Sequence, residues 1–129
     1  METLDAVRTP DVAEVREGLP FDLLQTLVRE IALTTVQTAR LLGISARTLE
    51  RRRVEGRLSP DESNRLLQVM DLWKHVLRVF EGDRERARTW LTRPKHLLGG
   101  ESPLQRLDTY PGARQVEQML LSIEFSMPV

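Results

Sequence analysis

Residues 35–53 read TVQTARLLGISARTLERRR, and this spacing is typical of a helix-turn-helix. Ala39 is small enough to let two helices cross closely, and Gly43 follows four positions later, where the chain must turn sharply. Ser45 can cap the second helix, and Leu49 can hold that helix against the first. The pattern predicts two short helices joined by a tight turn.

Charge is segregated along the chain, although the formal net charge is zero. Residues 40–57 carry six arginines against two glutamates, whereas residues 1–22 carry two arginines against six acidic residues. Such a distribution creates a local field even when the total cancels. It is consistent with a basic helix that approaches nucleic acid, or with a solvated helix face beside an acidic arm.

The second helix of the motif carries the predicted chemistry. Arg47, Thr48 and Arg51 lie three and four positions apart and so share one helical face, and arginine suits bidentate hydrogen bonds to guanine. We expect Arg47 and Arg51 to read bases, and the arginines that follow to contact phosphates. The predicted DNA-binding residues are Ser45, Arg47, Thr48, Arg51, Arg52, Arg53 and Arg57. The alternative is an ordinary helical hairpin with a charged, solvated face.

The rest of the chain also predicts helices, so we expect an all-α fold with an N-terminal helix-turn-helix region. Leu and Arg are abundant, and aromatic residues make up only 5% of the chain, which favours helix over strand. Residues 59–62 read SPDE, a capping box with proline at the first helical position, and Asp83 can cap a later short helix. We predict three parts: an acidic, loosely ordered arm over 1–18, the helix-turn-helix region over 19–58, and a helical domain over 59–129.

Several protein classes are excluded by what the sequence lacks. There is no cysteine, and His75 and His96 stand far apart without a metal-binding or catalytic motif around them. We expect His75 on a helix face and His96 in a loop. We therefore expect neither an enzyme nor a cofactor. The acidic N-terminus and the absence of a long apolar run predict no signal peptide and no membrane span, hence a cytoplasmic protein.

The order of segments along the chain resembles the Xre/MbcA/ParS antitoxin family, especially the Xre-like antitoxins paired with Res toxins. The segments that carry the resemblance are GLP at 18–20, LLGISARTLERRR at 41–53, GRLSPDES at 56–63, VFEGDRERARTWL at 79–91, proline at 94, LLGGESPLQRLDT at 97–109, GARQVEQML at 112–120 and IEF at 123–125. The sequence departs from the family at Ser126, where relatives often have glycine, and at Tyr110-Pro111.

The resemblance implies a type II antitoxin whose residues 59–129 dimerise and bind the toxin. Its expected partners are a Res-type, NAD-degrading toxin, the promoter DNA of its own operon, which it would repress, and a second copy of itself. The C-terminal portion would lie against the toxin's active-site cleft, with Phe125 and the residues after it trailing beyond a helix that ends near Ile123. The predicted toxin-binding residues are Glu117, Leu121, Glu124, Phe125, Ser126, Met127 and Val129.

Three alternatives stay open at this point. The chain can be a stand-alone dimeric helix-turn-helix regulator whose C-terminal helices only dimerise. Phe125 can fold back onto its own domain instead of entering a partner. The last residues would then be disordered, as chain ends commonly are. The surface over 90–109 can block the toxin in place of the tail.

Overall fold

A computed structural model of the chain describes residues 3–4 and 7–126, and within these residues the fold is helical without a strand. This confirms the predicted all-α class. The α-helices are α1 (Val12–Glu17), α2 (Phe21–Ile31), α3 (Thr35–Leu42), α4 (Ala46–Glu55), α5 (Pro60–Val79), α6 (Arg84–Thr92) and α7 (Tyr110–Ser126). Two 3-10 segments, His96–Leu98 and Leu104–Asp108, lie between α6 and α7. No helix in the described part is long and apolar enough to cross a membrane.

The helix-turn-helix consists of α3 and α4, as the spacing predicts. Thr34 caps α3 through a capping box with Gln37, and Gly43 ends it in the left-handed conformation, with φ of 69°. Ser45 accepts a hydrogen bond from the backbone N–H of Thr48 and caps α4. Because each signal acts within four residues along the chain, local sequence alone places both helices.

The N-terminal arm differs from the expectation of loose order. Asp11 and Glu14 form a complete capping box at the start of α1. The side chain of Leu4 is fully buried, and its backbone N–H donates to Glu30 at 3.1 Å. A cap that fits in four residues can begin a helix even where apolar periodicity is weak.

The described chain divides into two compact units, residues 1–71 and 72–129, whereas we expected a boundary after residue 58. The first part of α5 belongs to the N-terminal unit. The Ser59–Glu62 capping box forms as predicted, with the Ser59 N–H donating to Glu62 at 3.0 Å and the Glu62 N–H donating to Ser59 at 3.1 Å. Buried Ser63 also accepts the backbone N–H of Leu19 at 2.8 Å, which ties the start of α5 to the segment before α2.

The C-terminal unit contains the end of α5, then α6, the two 3-10 segments and α7. Asp83 caps α6, as predicted. The apolar side chains buried in this part of the chain are Leu72, Trp73, Val76, Leu77, Val79, Ala87, Leu91, Leu98, Leu104, Leu107, Val116 and Leu120. Gly112, near the start of α7, lies so close to the backbone of Arg106 that a Cβ there would sit 2.0 Å from the Arg106 carbonyl oxygen. This close approach sets the position of the first turn of α7.

Candidate nucleic-acid interface and partner-binding surface

The position of α4 in the N-terminal unit is set by its two ends and one buried side chain. Ser45 Oγ accepts the Thr48 N–H at 3.1 Å, and Gly56 follows the helix in the left-handed conformation, with φ of 80°. Leu49 is the only residue of α4 that is fully buried. The helix therefore keeps most of its surface in solvent while its orientation is fixed, which is what a helix that enters a DNA groove requires.

The two predicted base-reading arginines lie on the exposed surface. Arg47 is exposed and forms no ion pair with a described residue. The Arg51 side chain is 62% exposed, and its guanidinium lies 3.4 Å from Glu55 one turn later. An exposed pair of this kind contributes little to stability, so a stronger acceptor can displace it. Thr48, between them, is half-buried.

Arg52 was predicted to contact phosphate, and this prediction is corrected. Its guanidinium is directed at a buried carboxylate of the same unit. Its Nε and Nη2 donate to the two carboxylate oxygens of Glu62 at 2.8 and 3.0 Å. The Arg52 side chain is 18% exposed and that of Glu62 only 6%. Burial opposes ionisation of Glu62, but the hydrogen bonds from Arg52 and the Ser59 N–H outweigh it and hold the pKa of Glu62 below its ordinary value. Arg52 therefore anchors α4 to the start of α5.

The remaining predicted phosphate contacts are less tightly held. Arg53 forms a two-pronged hydrogen bond with Glu50, which lowers the pKa of Glu50, and both side chains stay more than half exposed. Arg57 donates one hydrogen bond, at 2.7 Å, to the carbonyl of Gly18. A guanidinium has five N–H donors, so the other donors of Arg57 stay available to a phosphate.

A further arginine near the turn escaped the sequence analysis. Arg65, on α5, lies over Gly43, such that a Cβ at Gly43 would be 3.2 Å from its Cζ. Arg65 is exposed and forms no ion pair with a described residue. The sequence did not indicate a role for Arg65, because this residue lies outside the helix-turn-helix pattern. Only folding brings α5 to the turn.

In the C-terminal unit, two of the predicted partner-binding residues flank a buried histidine. Glu117 Oε1 lies 2.7 Å from His75 Nδ1, and Glu124 Oε2 lies 3.4 Å from His75 Nε2. His75 is only 4% exposed, although its place in the sequence indicated a residue on the open face of a helix. The seven-residue spacing correctly put both glutamates on one face of α7. It could not reveal that this face meets α5.

The last turns of α7 expose apolar side chains on the C-terminal unit. The helix continues to Ser126, so Phe125 and Ser126 are helical and do not trail beyond it, which corrects the expected end near Ile123. Phe125 is 81% exposed and Leu121 is 39% exposed. The alternative in which Phe125 folds back onto its own domain therefore does not describe this structure. Met127 and Val129 lie outside the described residues.

Neither unit presents a metal site among the residues that the structure describes. No group of three or more His, Asp or Glu side chains there comes together closely enough to hold an ion.

Comparisons with known proteins agree with this two-part arrangement. Residues 11–71 match the family described as "Antitoxin Xre-like helix-turn-helix domain", and residues 75–125 match "Antitoxin Xre/MbcA/ParS C-terminal toxin-binding domain". The boundary between the two matches lies where the structure divides the chain.

Curated relatives extend the likeness over most of the chain. An "Antitoxin Xre" of Yersinia enterocolitica is 30% identical over 114 residues, which cover 88% of this chain and 77% of that protein. An "Antitoxin Xre" of Photorhabdus laumondii is 31% identical over 87% of this chain and 76% of its own length. One from Pseudomonas putida is 34% identical over 84% of this chain and 67% of its own length.

Proposed function

Since the chain belongs to the Xre/MbcA/ParS family of antitoxins, a family of regulatory proteins and not of enzymes, we propose that its toxin is of the Res type. In this proposal the antitoxin acts in the cytoplasm, inhibits the NAD-degrading activity of the toxin and represses its own operon. The observation that carries the repressor role is α4, a helix fixed at both ends whose exposed face holds Arg47 and Arg51.

The arginines of the N-terminal unit divide the work of DNA binding. Arg47 and Arg51 read bases, because each is exposed near the N-terminal half of α4 and can reach acceptors in the major groove. Ser45 and Thr48 stand at the same end of the helix. Arg53 and Arg57 contact phosphates, whereas Arg52 acts through the fold and not on DNA.

Promoter binding by three single variants tests this division. Arg51→Ala should cost about 1–3 kcal/mol on the operator and relax its specificity, since a base contact is lost. Arg53→Ala should weaken all sequences alike and reduce the slope of log affinity against log salt by about one. Arg52→Ala should lower the free energy of unfolding and leave the salt slope unchanged. Equal, sequence-independent losses for Arg51→Ala and Arg53→Ala would contradict the proposal.

The surface that meets the toxin is the end of α7 and the residues after it. Leu121 and Phe125 are four residues apart on one helical face, both exposed, and together they offer an apolar contact of the kind that anchors interfaces. Glu117 and Glu124 border this face and, held by His75, give it negative charge. Ser126 extends it, and Met127 and Val129, outside the described residues, stay in the expected toxin-binding set. A surface with this character suits a cleft that otherwise holds an anionic dinucleotide.

A truncation after Glu124 tests the role of the helix end. This variant keeps the contacts of Glu117 and Glu124 with His75, so the fold and promoter binding should survive. Cells that express the proposed Res-type partner toxin should lose protection, because Phe125 and the residues after it are gone. Full protection by the truncated antitoxin would refute this role and move inhibition to the surface over 90–109.

We place a homodimer interface in the C-terminal unit, because one small helix-turn-helix gains useful operator affinity from a symmetric partner. With Leu121 and Phe125 assigned to the toxin, the large exposed apolar residues of this unit that remain for the dimer are Leu97 and Tyr110, while α5 exposes none among its described residues. Sedimentation at micromolar concentration should give a dimer. A monomer that still binds its operator tightly would count against the interface.

A further inference from the structure

Four side chains of the C-terminal unit form a continuous stack at the start and end of α6. Arg86 Cζ lies 5.4 Å from the centroid of the Phe80 ring, and Lys95 Nζ lies 5.3 Å from the centroid of the Trp90 ring. The two rings lie 6.2 Å apart and are tilted by 47°. We call this group the cation–aromatic stack; a cation lies over each of its two rings.

The stack lines an open pocket of about 440 Å³. Thr89 and Arg93, both exposed, complete its wall together with Asp83 and Glu85. Half-buried Phe80 and Trp90 leave part of their aromatic surface accessible. Aromatic rings and arginines at a concave surface are the residue types that dominate the energetics of protein interfaces.

One end of the pocket has an excess of positive charge. Arg93 and Lys95 form no ion pair with a described residue. Burial, and secondly the charge of Arg93, lowers the pKa of Lys95, so an anion between the two would relieve their repulsion. The two acidic residues of the pocket do not neutralise this end. Asp83 caps α6 and accepts the Arg86 N–H at 3.1 Å. Glu85 is exposed to solvent.

We propose that this pocket is a second toxin-binding site, in which Arg93 and Lys95 bind a carboxylate side chain of the toxin and the cation–aromatic stack packs against the apolar part of the same segment. The occupant is an acidic protein segment because the pocket combines an aromatic floor with two cations that no described carboxylate pairs with. The inference rests on the proposed function, since it names a contact surface for the same partner. It lies within residues 75–125, apart from the end of α7.

Calorimetric titration with the proposed Res-type partner toxin tests the pocket, with full-length antitoxin in every case. The double variant Arg93→Glu/Lys95→Glu should raise Kd at least about 30-fold, because like charges would then face the toxin carboxylate. The variant Arg93→Lys/Lys95→Arg, which keeps both charges, should stay within about threefold of the wild type, because surface substitutions that preserve an interaction change little. Trp90→Leu should weaken binding about tenfold through loss of the aromatic floor.

A matched control makes the same change in net charge in the N-terminal unit: Arg16→Glu/Arg29→Glu should bind the toxin like the wild type. Thermal unfolding of each variant verifies that it is folded. If Arg93→Glu/Lys95→Glu binds the toxin with unchanged affinity, the inference about the pocket is overturned and the proposed function is not. The same holds if this variant loses only its affinity for DNA. Failure of the wild-type antitoxin to bind the toxin overturns the proposed function, and the pocket's role with it.

Discussion

The two helices with assigned roles, α4 and α7, are held in place in different ways. In α4 a serine cap, a glycine end and one buried leucine suffice. In α7 three residues are buried, Gly112, Val116 and Leu120, and two glutamates meet His75 on another helix. Helix α4 is placed largely by residues next to it in the sequence, and α7 by residues far from it. A surface used to read DNA can thus be recognised locally, whereas the surface at the end of α7 depends on its own unit being folded.

The long-range side-chain hydrogen bonds of the two helices follow the same contrast. Arg52 reaches Glu62 across ten positions, and Glu117 reaches His75 across 42. The first contact secures a helix that is already capped at both ends. The second adds a restraint on α7 to that of its three buried residues. Three substitutions, taken in order of expected effect, test whether local and long-range restraints really differ in this way.

The largest effect is expected for Gly112→Ala in α7. The added Cβ would meet the Arg106 carbonyl oxygen at 2.0 Å, so the 3-10 segment or the helix must move. We expect the free energy of unfolding of the C-terminal unit to fall by about 3 kcal/mol. Both tryptophans, Trp73 and Trp90, lie in this unit, so urea unfolding followed by tryptophan fluorescence measures the change.

Gly100→Ala is the matched control in the same unit. Gly100 has φ of 88° and nothing within 4 Å of a Cβ, so alanine there meets only the backbone strain of about 1 kcal/mol. If Gly112→Ala lowers the free energy of unfolding no more than Gly100→Ala does, close packing does not position α7. The difference between α7 and α4 would then not hold.

An intermediate effect is expected for Glu62→Gln, which breaks a long-range restraint on α4. The substitution keeps the shape of the side chain but leaves the largely buried guanidinium of Arg52 with only the half-exposed carboxylate of Glu55, at 3.7 Å, as a countercharge. We expect the N-terminal unit to lose about 2 kcal/mol of stability, measured by urea unfolding followed by circular dichroism. Glu50→Gln, which breaks the exposed pair with Arg53, should leave stability unchanged within error.

The pH dependence sharpens the same prediction. Because the pKa of Glu62 is below its ordinary 4.5 in the folded chain, its contribution is fully present above pH 4.5 and is lost as pH falls through the lower folded value. The stability difference between wild type and Glu62→Gln should therefore shrink as the pH is lowered below 4.5. A difference that stays constant with pH would show that charge plays no part in the restraint.

The smallest effect is expected for Gly56→Ala at the end of α4. The residue has φ of 80°, and nothing lies within 4 Å of an added Cβ, so only the left-handed backbone opposes alanine. The expected loss is about 1 kcal/mol, with operator affinity retained because Arg47 and Arg51 keep their positions. A collapse of operator binding in a folded Gly56→Ala protein would contradict this expectation and show that Arg47 and Arg51 do not keep their positions.

The helices and their ends were largely predictable from the sequence. The Gly43 turn, the Ser45 cap, the Ser59 capping box and the Asp83 cap all appear as predicted. Each depends on a hydrogen bond or a backbone conformation within about four residues, so neighbours in the sequence are neighbours in space. The exposure of Arg47 and Arg51 followed from the same helical geometry.

Tertiary structure alone settled which polar residues face solvent and which face each other. Arg52 looks like its neighbours Arg51 and Arg53 in the sequence, but only Arg52 lies beside Glu62. His75 looks like a surface residue, but α7 covers it and brings Glu117 and Glu124 to its two nitrogens. The physical reason is that the partner lies far away in the sequence. A charged or imidazole side chain can lie on a solvated face, or it can be buried beside a partner. The choice between them depends on what another helix, tens of residues away, places opposite.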